Sequence, residues 1–119
     1  SKCVELCKEC GLLSMVCAES VRKATDLAHF SPDFIAIEPP ELIGGDISVT
    51  TANPKVVEDA VHLVKDINKS IALLCGAGIK TGQDVKKALE LGADGVLLAS
   101  GVVKAKDPKA ALLDLIRPF

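Results

Sequence analysis

One stretch of the sequence decides how the rest is interpreted: Phe34-Ile35-Ala36-Ile37-Glu38-Pro39-Pro40-Glu41-Leu42-Ile43-Gly44-Gly45. Its first four residues are apolar, which is typical of a buried parallel strand, because both faces of such a strand are covered. Glu38 follows directly and is expected above the carboxyl edge of the sheet, where α/β proteins bind ligands. The prolines and glycines after it predict a loop with a rigid start and a flexible end. We therefore predict that Glu38 is a catalytic base and that residues 39–45 form its lid.

The composition is that of a globular protein. Its 119 residues, 49% of them hydrophobic and 25% charged, predict a single domain over 1–119 with enough material for a core. A net charge of −2 gives no indication of nucleic acid or anionic membrane as a partner. No window approaches the roughly 18 uncharged apolar residues of a membrane span. Five cysteines without a signal peptide predict reduced thiols and a cytoplasmic location.

Helical and apolar periodicities alternate along the chain. Spacing and capping residues predict helices over 1–10, 21–30, 54–68 and 82–91, a short helix over 101–105 and a last helix from 108, while apolar runs predict strands over 12–18, 34–37, 71–75 and 95–98. Ser20, Asn53 and Thr81 are the expected N-caps, and Asp84 completes a capping box with Thr81. Four strand–helix units without hairpin turns predict an α/β fold, either a doubly wound sheet or a sector of a β/α barrel. Such a sheet of four strands has two open edges.

Two clusters of small residues predict a phosphate site. Gly76-Ala77-Gly78 ends the third strand, and Ala99-Ser100-Gly101 ends the fourth, just before the short helix. Small residues let backbone N–H groups approach an anion, and a helix N-terminus favours negative charge. Barrels of β/α units often bind phosphate between the loops after their last two strands and a short extra helix. A dinucleotide site is less favoured, because the sequence has no Gly-x-Gly-x-x-Gly.

Cys3, Cys7 and Cys10 fall on one face of the first helix. Thiolates at this spacing could converge on a metal ion, but metal sites usually collect ligands from a tight loop or several elements, and no histidine stands nearby. We favour small side chains on a core-facing stripe. We therefore expect no metal site at these cysteines.

Three motifs together resemble triosephosphate isomerase of the archaeal type. They are Ala36 to Gly44, Leu74 to Ile79 and Gly95 to Lys104, in the family's order and at matching spacing. The resemblance covers essentially the whole chain but only about the second half of the family's barrel, which means its last four strand–helix units. It implies parallel β/α units that form the C-terminal half of a TIM barrel.

The resemblance also implies a reaction and its residues. The family interconverts dihydroxyacetone phosphate and glyceraldehyde 3-phosphate by proton transfer, without a metal or an organic cofactor. Glu38 matches the catalytic base. The substrate phosphate is implied to bind at Gly44, Gly78, Ala99 and Ser100, and the lid is implied to comprise Pro39, Pro40, Glu41, Leu42, Ile43, Gly44 and Gly45. Glu41 is expected to be structural or to contact another subunit.

The sequence departs from the family in two places. Gly45 and Asp46 stand where the family usually has threonine and glycine, and the lost hydroxyl and added carboxylate are expected to affect lid closure. The family's catalytic lysine and histidine belong to the first half, which this sequence does not include. We expect His29 and His62 to be ordinary helix residues rather than substitutes for that histidine, because barrel active sites lie at the carboxyl face. Lys80 could approach the phosphate.

Other residues have expected roles away from the chemistry. Lys104 is expected to be solvated, and Asp33 and Asp94 are expected to start strands. The expected partners are a triose phosphate and either the missing N-terminal half or a second copy of the chain, in a homo-oligomer. One alternative is a non-catalytic half-barrel that self-associates and binds phosphate-bearing ligands. A second alternative is another phosphate-handling barrel, such as an enzyme of an indole or imidazole pathway.

Overall fold

A computed structural model describes residues 2–45 and 47–119 of the chain. Within this part, four strands form one parallel sheet: β1 (Met15–Ala18), β2 (Phe34–Ile37), β3 (Ala72–Cys75) and β4 (Gly95–Val96). The helices are α1 (Lys2–Glu9), α2 (Val21–Ala28), α3 (Val49–Ala52), α4 (Pro54–Ile67), α5 (Gly82–Glu90), α6 (Ser100–Val103) and α7 (Pro108–Ile116). A 3-10 turn spans Pro40–Leu42. None of the described helices is long and apolar enough to cross a membrane.

The order of the strands distinguishes between the two predicted architectures. The sheet runs β1-β2-β3-β4, so each strand pairs with the strand that follows it in the chain. A doubly wound sheet would reverse this order at a switch point, whereas a barrel sector does not. The predicted α/β half-barrel is therefore confirmed. Because all pairs are parallel, the four carboxyl ends meet at one edge of the sheet.

The core lies between one face of the sheet and the helices. Ile35, Ile37, Leu73 and Cys75 point to this face and are fully buried against side chains of α2, α4 and α5. The alternate positions point to the opposite face. There Met15 is 45% exposed and Cys17 is also exposed. One face of β1 is therefore open.

Two of the three predicted N-caps are confirmed. Ser20 Oγ accepts a hydrogen bond from Lys23 N at 3.3 Å, and Thr81 and Asp84 form the predicted capping box. Asp107 caps α7 through Ala110 N at 3.0 Å. Asn53 occupies the N-cap position of α4, but its side chain makes no capping bond there among the described residues, so that part of the prediction is wrong. Its φ of −150° and ψ of 72° place it outside the usual extended geometry of a capping residue.

Several element boundaries differ from the sequence-based expectation, mostly by one or two residues. The first strand was expected over 12–18 but begins at Met15, and the two leucines before it are 62% and 74% exposed. The fourth strand ends at Val96 rather than at 98, and the short helix begins at Ser100. The helix α3 was not predicted at all. Apolar content indicates where a strand lies but not where its pairing ends, since pairing depends on the neighbouring strand.

The cysteine face of α1 is not a core stripe. Cys3 and Cys10 are exposed and Cys7 is half-buried, whereas Val4 is the buried residue of this helix. The prediction of a core-facing stripe is wrong, because the three cysteines stay exposed or half-buried while Val4 takes the buried position of this helix. Among the described residues, no group of three metal-ligating side chains could hold an ion.

Two aspartates link neighbouring strands at the amino edge of the sheet. Asp33 Oδ2 accepts hydrogen bonds from Ser14 N at 2.7 Å and from Ser14 Oγ at 3.0 Å. Asp94 Oδ2 accepts from Leu73 N at 2.8 Å and pairs with Lys65 Nζ at 2.8 Å. The hydrogen bonds from Ser14 hold the pKa of Asp33 below its usual value. Both aspartates precede strands, as expected. Each is also hydrogen-bonded to the neighbouring strand or to the residue just before it, β1 for Asp33 and β3 for Asp94.

Candidate active site

A cavity of about 490 Å³ lies at the carboxyl edge of the sheet. Its volume falls in the range of small-molecule sites, roughly 300–1,000 Å³. The lining residues come from the ends of β2, β3 and β4 and from the loops after them: Glu38, Ile43, Gly44, Gly45, Gly76, Gly78, Ile79, Lys80, Leu97, Leu98, Ala99 and Ser100. The predicted base and all four predicted phosphate-binding residues therefore line the same cavity. Their roles in catalysis and binding remain predictions.

Glu38 continues the ladder of β2. Its N–H donates to Ala18 O at 2.8 Å, which fixes the backbone at the strand end. Its side chain lies across Gly76, the next residue of the neighbouring strand. A Cβ at Gly76 would overlap the Cγ of Glu38 and would lie 2.6 Å from Oε1 and 2.8 Å from Cδ. Because Gly76 has no side chain, the space beside it is free for the side chain of Glu38.

Cys17 approaches the same carboxylate from β1. Cys17 pairs in register with Ala36, and side chains two residues apart on a strand share a face, so Cys17 and Glu38 point to the same side. Partial burial first, and then the neighbouring carboxylate of Glu38, raise the pKa of Cys17 to about 11. The thiol beside Glu38 is therefore neutral.

Cys17 was not predicted as a site residue, and Gly76 was predicted only as part of a small-residue phosphate loop and not as the neighbour of Glu38. Both lie at the ends of strands that flank β2, so the register of the sheet would have identified them. His29, His62 and Lys104 are exposed and do not line the cavity, as expected. Lys80 does line it.

The start of the lid is a structured turn. Pro39 is buried, and residues Pro40–Leu42 form the 3-10 turn. The N–H of Leu42 donates to Pro39 O at 3.0 Å, and the N–H of Gly45 donates to Leu42 O at 3.2 Å. Gly44 has a φ of +71°, which favours glycine. The turn thus carries the two glycines of the lid to the cavity wall.

The lid differs in exposure along its length. Ile43 lines the cavity and is nonetheless 58% exposed. Glu41 is exposed and, with the other residues of the 3-10 turn, lies outside the cavity lining. Asp46, for which an effect on closure is predicted, lies outside the described residues.

The far end of the lid lies against the loop that follows β3. The N–H of Val49 donates to Ala77 O at 3.0 Å. Gly78 has a φ of +70°, and a Cβ there would overlap Ile47 O and would lie 2.8 Å from Ser48 Cα. Two backbones therefore meet at Gly78, and only glycine fits both the space and the conformation.

The loop after β4 closes the cavity on its other side. Ala99 occupies the N-cap position of α6, and Ser100 is the first residue of that helix. The first N–H groups of a helix have no partner within the helix, and these residues have small side chains. A Cβ at Gly101 would lie 3.1 Å from Ile79 O, so the loops after β3 and β4 touch. The cavity thus has a carboxylate on one wall and a helix start on another.

This geometry agrees with the known proteins that the chain resembles. A sequence model of triosephosphate isomerase matches residues 3–118. The chain belongs to the triosephosphate isomerase family. Triosephosphate isomerases of Methanobrevibacter smithii and Methanocaldococcus jannaschii are 59% and 55% identical to it, over 95% and 96% of the chain. Each match covers 51% or 52% of the relative, so the chain spans about half the length of these isomerases.

Solved structures agree on the fold. A thiamine phosphate pyrophosphorylase from Pyrococcus furiosus superimposes with a TM-score of 0.69 over 94% of this chain and 52% of that chain, at 18% identity. FabK from Thermotoga maritima superimposes with a TM-score of 0.70 over 88% of this chain and 32% of that chain, at 21% identity. Identities this low indicate shared architecture alone.

Proposed function

We propose that this chain supplies the base, the lid and the phosphate cradle of a triosephosphate isomerase that interconverts dihydroxyacetone phosphate and glyceraldehyde 3-phosphate. One observation carries the proposal: Glu38, Gly44, Gly78, Ala99 and Ser100 line one cavity. Glu38 removes a proton from the carbon beside the substrate carbonyl and returns it to the neighbouring carbon, so the carboxylate is regenerated. The proton balance needs neither a metal nor an organic cofactor.

The phosphate binds through backbone N–H groups in this proposal. Gly44 contributes from the lid, Gly78 from the loop after β3, and Ala99 and Ser100 from the start of α6. Such donors stabilise an anion because they point the positive ends of their dipoles at it. Lys80 lines the same cavity and adds positive charge.

The active site is completed by the first half of the barrel. Polarising the substrate carbonyl requires positioned donors, and the family's lysine and histidine are not part of this chain. Apolar side chains are exposed beside both edge strands: Leu12 and Leu13 are 62% and 74% exposed beside β1, and Val103 and Phe119 are 78% and 72% exposed beside β4. An apolar cavity of about 480 Å³ lies between β4, α6 and α7. A first half that covers these surfaces would close the barrel, and this chain alone should have little or no activity.

Reconstitution tests this proposal. The chain is mixed with a separately produced first half of the Methanobrevibacter smithii relative, and isomerisation is followed by a coupled dehydrogenase assay. We expect turnover from the mixture, negligible turnover from either part, and loss of turnover with Glu38→Gln. Circular dichroism and size-exclusion chromatography report whether the complex has formed. A folded complex that stays inert would contradict the proposal.

A second candidate is a non-catalytic half-barrel that pairs with its own copy and binds phosphate-bearing ligands. The exposed apolar residues at both sheet edges favour it, because two copies could cover each other and close eight strands. Native mass spectrometry separates the cases, since a stable monomer at micromolar concentration would rule out self-pairing. The completed isomerase is proposed to be a cytoplasmic homo-oligomer, with the exposed Glu41 at a subunit contact. Family membership argues against an indole- or imidazole-pathway enzyme.

A further inference from the structure

Two charged residues line the cavity within the part of the chain that the structure describes. One is Glu38 and the other is Lys80, while the remaining lining residues are apolar, glycine or serine. A phosphate dianion in this cavity would be repelled by the carboxylate of Glu38. The backbone N–H groups that are proposed to bind it offer only partial positive charges. Lys80 is therefore the described lining residue that can offset a full negative charge.

The backbone of Lys80 lies between the two segments that are proposed to hold the phosphate from below. Lys80 follows Gly78 by two residues in the loop after β3. A Cβ on Gly101 would lie 3.3 Å from the Cα of Lys80, and Gly101 directly follows Ala99 and Ser100. The Cα of Lys80 is therefore in close contact with the loop after β4. A phosphate held between these two loops lies within reach of a flexible four-carbon lysine stem.

The cap of α5 fixes the point from which the Lys80 side chain starts. Asp84 Oδ2 accepts hydrogen bonds from Lys80 N at 3.1 Å, from Thr81 N at 3.0 Å and from Thr81 Oγ1 at 2.9 Å. Asp84 does not line the cavity, so its carboxylate holds this backbone from outside the cavity. Lys80 itself is half-buried. A fixed backbone and a partly buried side chain reduce the conformational entropy that is lost when a lysine binds an anion.

We propose that Lys80 is a substrate-binding residue whose ammonium group contacts the phosphate, so that the cavity selects a phosphorylated triose over the unphosphorylated sugar. The inference rests on the proposed isomerase function and adds a specificity-determining residue to it. A lysine ammonium attracts phosphate as a point charge. Its contribution therefore depends on the charge of the ligand and weakens as salt screens the interaction. The backbone N–H groups orient the phosphate, and Lys80 supplies the charge that distinguishes it from a hydroxyl.

The test uses the chain assembled with the first half described above. Lys80→Met removes the charge and keeps an apolar stem, whereas Lys80→Arg keeps a positive charge. Lys104→Met is the matched control, because Lys104 is the exposed C-cap of α6 and lies outside the cavity lining. We expect Lys80→Met to raise KM for the triose phosphate and the inhibition constant of inorganic phosphate by about tenfold each. Lys80→Arg and Lys104→Met should change either constant by less than about threefold.

Two further measurements distinguish a binding role of Lys80 from a structural one. The slow isomerisation of unphosphorylated glyceraldehyde, followed by proton NMR, should stay within about twofold of wild type in Lys80→Met, because no phosphate is present for the ammonium to contact. The value of kcat/KM for the triose phosphate should fall less steeply with added potassium chloride in Lys80→Met than in wild type. A structural defect would instead lower the rate with both substrates and leave the salt dependence unchanged.

The outcomes that overturn the inference are specific. Unchanged KM and unchanged phosphate inhibition in an assembled Lys80→Met variant would show that the ammonium does not contact the phosphate. An equal loss with the phosphorylated and the unphosphorylated substrate would assign Lys80 a structural role. If Lys80→Met does not assemble, Lys80→Gln is measured in its place and should raise the same two constants. If the wild-type assembly is inactive, the proposed function fails, while phosphorus NMR titration of the wild-type and variant assemblies with inorganic phosphate still decides whether Lys80 binds phosphate.

Discussion

Replacing Gly76 by alanine should displace Glu38 while leaving the fold intact. The added Cβ would lie 2.6 Å from Oε1 and 2.8 Å from Cδ of Glu38, against ordinary separations of about 3.5–4.0 Å between carbon atoms. The carboxylate would therefore have to move by about 1 Å. A misplacement of this size costs about 100-fold in rate. Gly76 is not among the glycines with positive φ, so the backbone accepts alanine and the free energy of unfolding should change by less than about 1 kcal/mol.

The assay compares two glycine variants of the reconstituted enzyme. Gly95→Ala is the matched control, because its Cβ would meet only a methyl group of Leu74 at 3.3 Å and it lies at the start of β4. We expect kcat to fall by about 10- to 100-fold for Gly76→Ala, with KM nearly unchanged because the phosphate cradle is untouched. Gly95→Ala should keep kcat within about twofold of wild type, since its neighbour can rotate aside. Urea unfolding reports the stability of each assembly.

Two results would refute the reasoning. One is a folded Gly76→Ala assembly whose kcat equals that of wild type, because Glu38 would then tolerate the overlap without functional consequence. The other is an equal loss of activity in both variants, which would indicate a general effect of adding a methyl group to a strand end. A crystal structure of Gly76→Ala that shows Glu38 in place would also contradict the displacement.

Four further predictions concern the cavity and its supports. Gly78→Ala should destabilise the assembly by at least about 2 kcal/mol in urea unfolding, because alanine disfavours positive φ and its Cβ overlaps Ile47 O; an unchanged midpoint would contradict the close approach. Cys17→Ala should lower kcat about fivefold, because it removes the neutral thiol beside the Glu38 carboxylate, and a rate equal to wild type would show that the thiol is dispensable. The hydrogen bonds to Asp84 should be lost in acid. Its folded pKa is below the usual 3.8, so its contribution to the free energy of unfolding is present above that value and disappears as the pH falls through the folded pKa. Asp84→Asn should lose this pH dependence in unfolding titrations. Leu13→Glu should weaken association with the first half by at least about tenfold, measured by titration calorimetry, whereas an unchanged affinity would place the interface elsewhere.

The elements of the fold were largely predictable because their signals are local. The run over 34–37, the cap at Ser20 and the capping box at Thr81 each depend on a few consecutive residues, and the structure confirms them. The extent of β4 was not predictable, since its pairing stops where β3 stops offering partners. The cysteine face of α1 was predicted wrongly for a related reason. Its burial depends on what packs against the helix, and nothing in its own spacing carries that information.

The sequence by itself determined the four strand–helix units, the carboxylate at the end of β2 and the two small-residue loops, because periodicity and backbone freedom are properties of consecutive residues. Only the tertiary structure decided what touches Glu38 and what holds the lid. Cys17 faces Glu38 through the register of two strands, Gly76 makes room for it from a third, and the N–H of Val49 joins the lid to Ala77 O at 3.0 Å. Parallel pairing brings the carboxyl ends of distant strands to one edge, and contacts of that kind are set by packing, not by any single segment.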